Sequence, residues 1–289
     1  MHYEGNVIRP PSEADSIILQ VTVGCSHNRC TFCGAYKDEA FRIKDAATVE
    51  EDLAFAALYC KRQKRVFLAD GDVLVLPQHR LVALLKKIRQ QLPWVNRVSL
   101  YGNAKAIRTK SVAQLQELKE LGLNRVYMGL ESGHEPTLAA IRKGNDTARM
   151  IEAAHRVREA GLFLSVTVLL GIAGKTDSQA HAAATGRVLS EMGPNQIGIL
   201  SLMLLPNTPL YRDAQDGRFT LPSPASLLAE LRTMVEHLNL DRAQLQSNHA
   251  SNYLPINARL PRDKDQVLAM IDAALAGSVP LTPEHHRRL

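Results

Sequence analysis

The chain has 289 residues, of which 45% are apolar, and a formal net charge of +6. This length suits one large α/β domain or two small ones, and four cysteines are too few for a disulfide scaffold. The longest apolar stretch, residues 162–173, contains polar residues and is shorter than the roughly 20 residues that cross a bilayer, so we expect no membrane span.

The basic residues are scattered along the chain rather than gathered in one stripe. Such a scatter is typical of solvated helix faces, so a nucleic-acid partner is possible but not indicated. The N-terminal residues lack a basic region followed by an apolar segment. We therefore expect no signal peptide and a reducing, cytoplasmic location.

Apolar runs alternate with amphipathic segments from residue 16 onward. The predicted strands are 16–23, 65–69, 97–101, 125–130, 163–170 and 197–204, and the predicted helices are 48–62, 78–91, 111–121, 147–160, 178–191 and 224–238. Strands separated by helices indicate parallel βαβ units, which form either an open sheet or a barrel. In both cases the chemistry is expected at the carboxyl ends of the strands.

The segment 213–224 indicates a boundary within the chain. We predict a core over residues 1–215 and a helical extension over 216–289 that closes it. The extension contains a polar loop at 247–255, whose Asn248, His249 and Asn252 favour contact with a substrate over a plain connector, and a last helix near 264–276. Cys60 lies in a predicted helix and is expected to be a buried thiol.

Three cysteines within nine residues follow the first predicted strand: Cys25, Cys30 and Cys33. Thiolates are the natural ligands of iron–sulfur clusters and of zinc. Three of them can hold three irons of a cubane and leave the fourth iron open for a small chelating molecule. Zinc, with His27 as a fourth ligand, is the alternative, and both interpretations stay open at this point.

Polar residues also follow the next three strands. They are Asp70-Gly71-Asp72 after the second strand, Asn103 after the third and Glu131-Ser132 after the fourth. A charged residue directly after a buried strand needs a partner or a ligand. Asp, Asn and Gly are also ordinary turn residues, so each motif alone is modest evidence. Their order along successive strand ends favours one shared binding site, in which Asn103 could face the ligand.

The segment Cys30-Thr-Phe32-Cys33 after a strand resembles the radical S-adenosylmethionine (SAM) superfamily. Residues 126–133 and 138–144 resemble one branch of this superfamily, which contains the methylthiotransferases, the Elongator-type enzymes and the coproporphyrinogen-dehydrogenase-like proteins. The first cysteine spacing departs from the family pattern, because four residues stand between Cys25 and Cys30 instead of three. The resemblance implies a partial (β/α)6 TIM-type barrel of parallel strands with a small C-terminal extension.

The resemblance also implies the cofactors and the residues that bind them. The cofactors are one [4Fe–4S] cluster, held by Cys25, Cys30 and Cys33, and SAM at the open iron. The other implied positions are Phe32 near the adenine, Asp70, Gly71 and Asp72 at the ammonium group, Glu131 and Ser132 at the methionyl or ribose groups, Arg142 at the carboxylate, and Thr167 and Gly171 at the adenine.

The reaction that the resemblance implies is reductive cleavage of SAM to a 5′-deoxyadenosyl radical, which takes hydrogen from an unidentified substrate. The electron would come from a low-potential donor such as flavodoxin or ferredoxin. The longer cysteine spacing leaves open cleavage to a 3-amino-3-carboxypropyl radical. Two non-enzymatic alternatives also remain, a zinc-stabilised RNA-binding module and an iron–sulfur redox sensor.

Overall fold

The structure is a computed structural model and describes residues 1–288. Its strands are β1 (Ile17–Gln20), β2 (Thr22–Val23), β3 (Arg42–Ile43), β4 (Arg65–Ala69), β5 (Arg97–Tyr101), β6 (Leu123–Glu131), β7 (Phe163–Leu170), β8 (Gln196–Ser201), β9 (Ala243–Gln246) and β10 (Asn257–Leu260). Its α-helices are α1 (Ala46–Tyr59), α2 (Gln78–Gln91), α3 (Ala104–Arg108), α4 (Val112–Glu120), α5 (Glu135–Ala140), α6 (Thr147–Glu159), α7 (Ser178–Met192), α8 (Pro209–Gln215), α9 (Pro224–Glu236) and α10 (Lys264–Leu275). The chain divides into two compact units. The first unit comprises residues 1–28, 35–128 and 152–164, and the second comprises 29–34, 129–151 and the chain from Ser165 onward.

In the first unit, β1, β4, β5 and β6 lie side by side in that order, and each pair is parallel. Val66, Phe67 and Leu68 of β4 have no exposed surface, as expected for a parallel strand that is covered on both faces. The short antiparallel pair β2–β3 closes the base of the segment that begins with Cys25. The first cysteine therefore follows closely on a short strand that is paired with β3.

In the second unit, β7, β8 and β9 are parallel, and β10 pairs antiparallel with β9. Helix α9 packs against both α7 and α10. Its buried side chains, Leu227, Leu231 and Met234 among them, recur at the helical spacing that places them on one face.

The predicted α/β fold class is confirmed, because helices separate strands that are mostly parallel in both units. The predicted bounds of β4, β5, β7 and α2 agree with the structure. The two strands β9 and β10 were not predicted, and they lie in the part that we expected to be helical. No helix in residues 1–288 is long and apolar enough to cross a membrane.

Candidate functional site

Cys25 and Gly71 are in direct contact in the first unit. A Cβ added at Gly71 would lie 3.1 Å from the Cβ of Cys25 and 3.0 Å from the ring of Tyr36. The amide of Gly71 donates to the carbonyl oxygen of Gly24 at 3.3 Å. Position 71 is therefore a glycine because the backbone after β4 must approach the first cysteine closely.

Asp72 joins the first cysteine segment to the end of β5. Its Oδ2 accepts hydrogen bonds from Ser26 Oγ at 2.6 Å and from Asn103 Nδ2 at 2.5 Å. Asn103 Oδ1 accepts from the amide of Ala106 at 2.8 Å and so caps α3. Burial raises the pKa of Asp72 to about 6, and the hydrogen bonds from Ser26 Oγ and from the backbone amide of Asn103 oppose that rise. Asp72 and Asn103, two of the predicted site residues, are thus partners of each other.

Asp70 lies on the other side of Gly71 and is fully buried. Its Oδ2 accepts from Gln20 Nε2 at 2.6 Å, and its Oδ1 accepts from the amide of Ile8 at 3.3 Å. Burial raises the pKa of Asp70 to about 6, and these hydrogen bonds lower it in part. Both acidic side chains of the Asp70-Gly71-Asp72 motif are therefore engaged with groups of the first unit.

The second and third cysteines belong to residues 29–34, which the second unit holds. The amide of Thr31 donates to the carbonyl of Ile141 at 2.9 Å, and the Thr31 carbonyl accepts from the amide of Leu210 at 3.0 Å. Asn207 Nδ2 donates to the carbonyl of Gly34 at 2.9 Å. The turn after β8 and the start of α8 therefore anchor both ends of the segment that carries Cys30, Phe32 and Cys33.

Glu131 ends β6 and forms an ion pair with Lys143, whose Nζ lies 2.8 Å from its Oε1. Gly129 leaves space for this pair, because an added Cβ there would lie 2.2 Å from Glu131 Oε1. Both Glu131 and Arg142 have positive φ angles, 64° and 54°, which non-glycine residues seldom adopt. Sequence reasoning identified Glu131 and Arg142 but missed Lys143 and Gly129.

Ser132 and Gly171 contact a buried acidic network. Ser132 Oγ lies 2.7 Å from His181 Nδ1, and the amide of Gly171 donates to Glu230 Oε1 at 2.7 Å. His181 and Glu230 are both fully buried and were not predicted. A signal for Glu230 exists in the sequence, because it is a carboxylate on the otherwise apolar face of α9.

The remaining predicted residues are at least partly exposed to solvent. Phe32 and Thr167 are half-buried, and Arg142 is exposed. Thr167 of β7 lies beside Gly198 of β8 in the parallel register, and a Cβ at Gly198 would still be 3.8 Å from Thr167 Oγ1. The absent side chain at Gly198 therefore leaves space beside Thr167.

The polar loop of the extension is anchored to β8. Asn252 Nδ2 donates to the carbonyl of Ile199 at 2.7 Å, and Ser201 Oγ donates to Asn252 Oδ1 at 2.9 Å. Burial lowers the pKa of His249, which lies 2.9 Å from Ser251 Oγ. Asn252 thus has a connecting role, whereas Asn248 is exposed and available to a ligand.

Cys60 was predicted to lie within a helix, but it is the residue that follows α1. It is half-buried rather than fully buried as we expected. Its carbonyl accepts a hydrogen bond from Trp94 Nε1 at 3.2 Å. It lies in the first unit and is not part of the cysteine loop.

The donor set of the loop suits an iron–sulfur cluster in its chemistry. Cys25, Cys30 and Cys33 are each partly exposed, and none of them forms a disulfide. In residues 1–288, however, no three His, Cys, Asp or Glu side chains are grouped so that they could hold a metal ion. The assignment of the three thiols as cluster ligands therefore stays a prediction that rests on donor type and spacing.

A cavity of about 240 Å³ in the second unit lies against the cysteine segment. Thr31, Ile141, Leu210 and Phe219 line part of it, and none of its lining residues is among the predicted cofactor residues. Within the described chain, Thr31 Oγ1 is buried and makes no hydrogen bond. The anchoring of residues 29–34 thus rests on backbone bonds and on Asn207 rather than on the Thr31 hydroxyl.

The model of the radical SAM superfamily matches residues 19–185. This range is more than half of the chain and includes every predicted cluster and SAM residue. Members of this superfamily bind a [4Fe–4S] cluster and SAM, which confirms the predicted pair of cofactors at the level of the family.

Among curated proteins, the chain is similar to the heme chaperone HemW of Bacillus subtilis strain 168. The two are 24% identical over 203 aligned positions, and the match covers 66% of this chain and 53% of HemW. The chain is also 23% identical over 217 residues to anaerobilin synthase of Escherichia coli O157:H7, which covers 72% of this chain and 48% of that protein. The chain thus spans about half the length of these relatives.

Among solved structures, the fold is similar to that of coproporphyrinogen III oxidase (HemN) from Escherichia coli, a radical SAM enzyme. The TM-score is 0.58 at 17% identity, over 76% of this chain and 51% of that chain. At this identity the similarity shows the fold, which in radical SAM proteins is a partial TIM barrel.

Proposed function

Because the chain belongs to the radical SAM superfamily, with relatives in its HemN-like branch, it is an enzyme, and we propose that it cleaves SAM reductively at one [4Fe–4S] cluster. Cys25, Cys30 and Cys33 would hold three irons of the cluster. A cluster held there would supply, from an external low-potential donor, the electron for reductive cleavage of SAM to methionine and a 5′-deoxyadenosyl radical, which would take a hydrogen atom from the substrate.

The protein's own residues would bind and orient SAM. The backbone at Gly71, next to Cys25, would approach the ammonium group, because a glycine lets a cation come close to exposed carbonyl oxygens. Glu131 would contact the methionyl or ribose groups, whereas Ser132, predicted to do the same, is fully buried and would only hold the end of β6. The exposed guanidinium of Arg142 suits a carboxylate. Phe32, Thr167 and Gly171 would contact the adenine, and Asp70, Asp72 and Asn103 would fix the loop around the first cysteine.

One observation carries this proposal. Three partly exposed thiols lie within nine residues of sequence after β2, inside the range that the superfamily model matches. The contact between Gly71 and Cys25 supports it, because it brings the acidic motif after β4 to the first of these thiols.

The test is iron and sulfide quantification after anaerobic reconstitution, followed by a SAM-cleavage assay with a chemical reductant. We expect about four irons and four sulfides per chain, as in a cubane cluster, and we expect Cys30→Ala to lose both the cluster and SAM cleavage. Cys60→Ala is the matched control and should keep both. Full cleavage by Cys30→Ala, or zinc in place of iron, would overturn the proposal.

A second reaction is favoured by a specific feature, the fourth residue between Cys25 and Cys30. A longer loop could place SAM so that a different carbon–sulfur bond breaks, which would give a 3-amino-3-carboxypropyl radical. Mass spectrometry of the cleavage products decides between the two reactions. If 5′-deoxyadenosine is the only nucleoside product, the second reaction is excluded.

The substrate stays unidentified in this proposal. The names of the similar proteins describe a chaperone, a synthase and an oxidase, so no single reaction follows from them. Radical SAM enzymes need a reductant, and we propose a low-potential donor such as flavodoxin or ferredoxin in the cytoplasm.

A further inference from the structure

Ser132, His181 and Glu230 form a buried chain of polar side chains in the second unit. All three have no exposed surface. Ser132 Oγ lies 2.7 Å from His181 Nδ1 and accepts from the amide of His134 at 3.0 Å. His181 Nε2 lies 3.4 Å from Glu230 Oε1, a contact between the two side chains in which Nε2 makes no hydrogen bond. The end of β6 is thus connected through α7 to a carboxylate on α9.

The same carboxylate also holds the end of β7. Its Oε1 accepts from the amide of Gly171 at 2.7 Å, and its Oε2 accepts from the hydroxyl of Ser178 at the start of α7. Gly171 has a φ of 81°, and a Cβ there would lie 2.9 Å from Leu227 of α9. One side chain of α9 therefore contacts the turn after β7 and the helix that follows it.

Two glycines bring the backbones of these elements into close contact. A Cβ at Gly133 would lie 2.6 Å from Thr185 Cα, and a Cβ at Gly186 would lie 2.6 Å from the carbonyl oxygen of Met234. The amide of Gly133 donates to Thr185 Oγ1 at 2.8 Å. Helix α7 is therefore packed tightly between the turn after β6 and helix α9.

Hydrolases activate a nucleophile with a serine, a histidine and a carboxylate, but there the serine bonds to Nε2 and the carboxylate to Nδ1. In this network Ser132 lies at Nδ1 of His181 and Glu230 lies at Nε2. Here Ser132 is fully buried, so no substrate can reach its hydroxyl. Burying a carboxylate is costly unless hydrogen bonds and a partner compensate for the loss of water. In this network the compensation comes from groups that fix the positions of two strand ends.

The two strand ends are those that carry Glu131 and Gly171, which the proposed function assigns to SAM. We propose that Glu230 is a positioning residue for SAM binding, acting through the amide of Gly171 and through His181 and Ser132. This inference rests on the proposed function. It adds a residue that lies beyond the range of the superfamily match, residues 19–185, and that the proposed function does not assign to either cofactor.

The test compares Glu230→Ala and Glu230→Gln with Glu236→Gln, an exposed carboxylate on the same helix. For each anaerobically reconstituted variant we would measure the iron content, the Kd of SAM by calorimetry, the change that SAM causes in the cluster EPR spectrum, and the melting temperature. We expect Glu230→Ala to keep its iron and to raise the Kd about 10-fold, the effect of losing one or two buried hydrogen bonds.

Glu230→Gln should raise the Kd less, because its carbonyl oxygen still accepts from Gly171 while the charge opposite His181 is lost. Glu236→Gln should match the wild type in every measurement. The inference is overturned if Glu230→Ala binds SAM with the wild-type Kd and EPR change. If Glu230→Ala does not fold, an unchanged Kd in Glu230→Gln overturns it. Failure of the wild type itself to bind SAM would instead reject the proposed function.

Discussion

A substitution at Gly71 tests whether the acidic turn after β4 contributes to the cluster site or is only an ordinary turn. Alanine at this position would press its Cβ against Cys25 and Tyr36, at 3.1 and 3.0 Å, which requires one of them to move. Overpacking of this kind costs about 1–3 kcal/mol. We expect Gly71→Ala to lower the iron and sulfide content of the reconstituted protein, because one of these two neighbours, Cys25, is a proposed ligand of the cluster.

Gly198→Ala is the control for that prediction, since its added Cβ meets its nearest neighbour at 3.8 Å. It should retain the wild-type iron content. If Gly71→Ala assembles a full cluster, the contact with Cys25 is only a matter of turn packing.

Asp72 makes the stability of the cofactor-free protein depend on pH. Its pKa is raised from 3.8 to about 6 in the folded chain, so between these values the folded state binds more protons than the unfolded state. The free energy of unfolding should therefore fall as the pH rises from about 4 to about 6, by up to about 3 kcal/mol from this group. Asp70, with a pKa raised in the same direction, adds to the slope.

Urea unfolding of the wild type and of Asp72→Asn at several pH values tests this expectation. The asparagine variant should show a flatter dependence over the same interval, because it lacks the titrating group. A wild-type stability that rises with pH in this interval would contradict the pKa shift of Asp72.

At the scale of residues, the sequence located the polar groups but not their partners. Asp70, Asp72, Asn103 and Glu131 could be found because they follow apolar runs. Gln20 bonds to Asp70 from 50 positions away, and only the parallel pairing of β1 with β4 brings the two residues together.

The turn after β8 and the start of α8 hold the segment that carries the second and third cysteines. Asn207 bonds to the carbonyl of Gly34, and the amide of Leu210 bonds to that of Thr31. We expect Asn207→Ala to loosen residues 29–34 at a cost of about 1 kcal/mol. The cofactor-free variant should therefore react faster with a thiol reagent at Cys30 and Cys33.

Asn239→Ala is a suitable comparison, because Asn239 is exposed and its backbone amide, not its side chain, donates a hydrogen bond to Ser190 Oγ. Its cysteines should react at the wild-type rate. Equal rates for the two alanine variants would show that the Asn207 side chain does not restrain the segment.

At the scale of elements, long apolar runs and long amphipathic segments were predicted well. Strand β9 has only four residues with alternating burial, and α3 and α5 have five and six residues. Such short elements carry too little periodicity to be recognised. β9 takes its place by pairing with β8, and this tertiary contact cannot be read from Ala-Gln-Leu-Gln.

At the scale of the molecule, the part that we predicted to be an extension is integral to the second unit. Helix α9 supplies Glu230 to Gly171, and β9 pairs with β8. A chain that ends at residue 215 would leave the buried face of α7 uncovered and β8 as an open edge, which favours aggregation. We expect this truncated chain to lack a cooperative thermal transition.

Circular dichroism and gel filtration of the truncated chain would check this expectation. A monomer that melts cooperatively near the wild-type temperature would mean that residues 1–215 fold without the rest. The superfamily match ends at residue 185, so the truncated chain would still contain every residue of the match.

Trp94 is the single tryptophan of the chain, and its indole donates to the Cys60 carbonyl within the first unit. Intrinsic tryptophan emission is therefore a local probe of that unit, whereas ellipticity averages over the whole backbone. Melting curves recorded by the two optical signals should superimpose if both units unfold in one step, and an earlier or later emission change would give the first unit a separate transition.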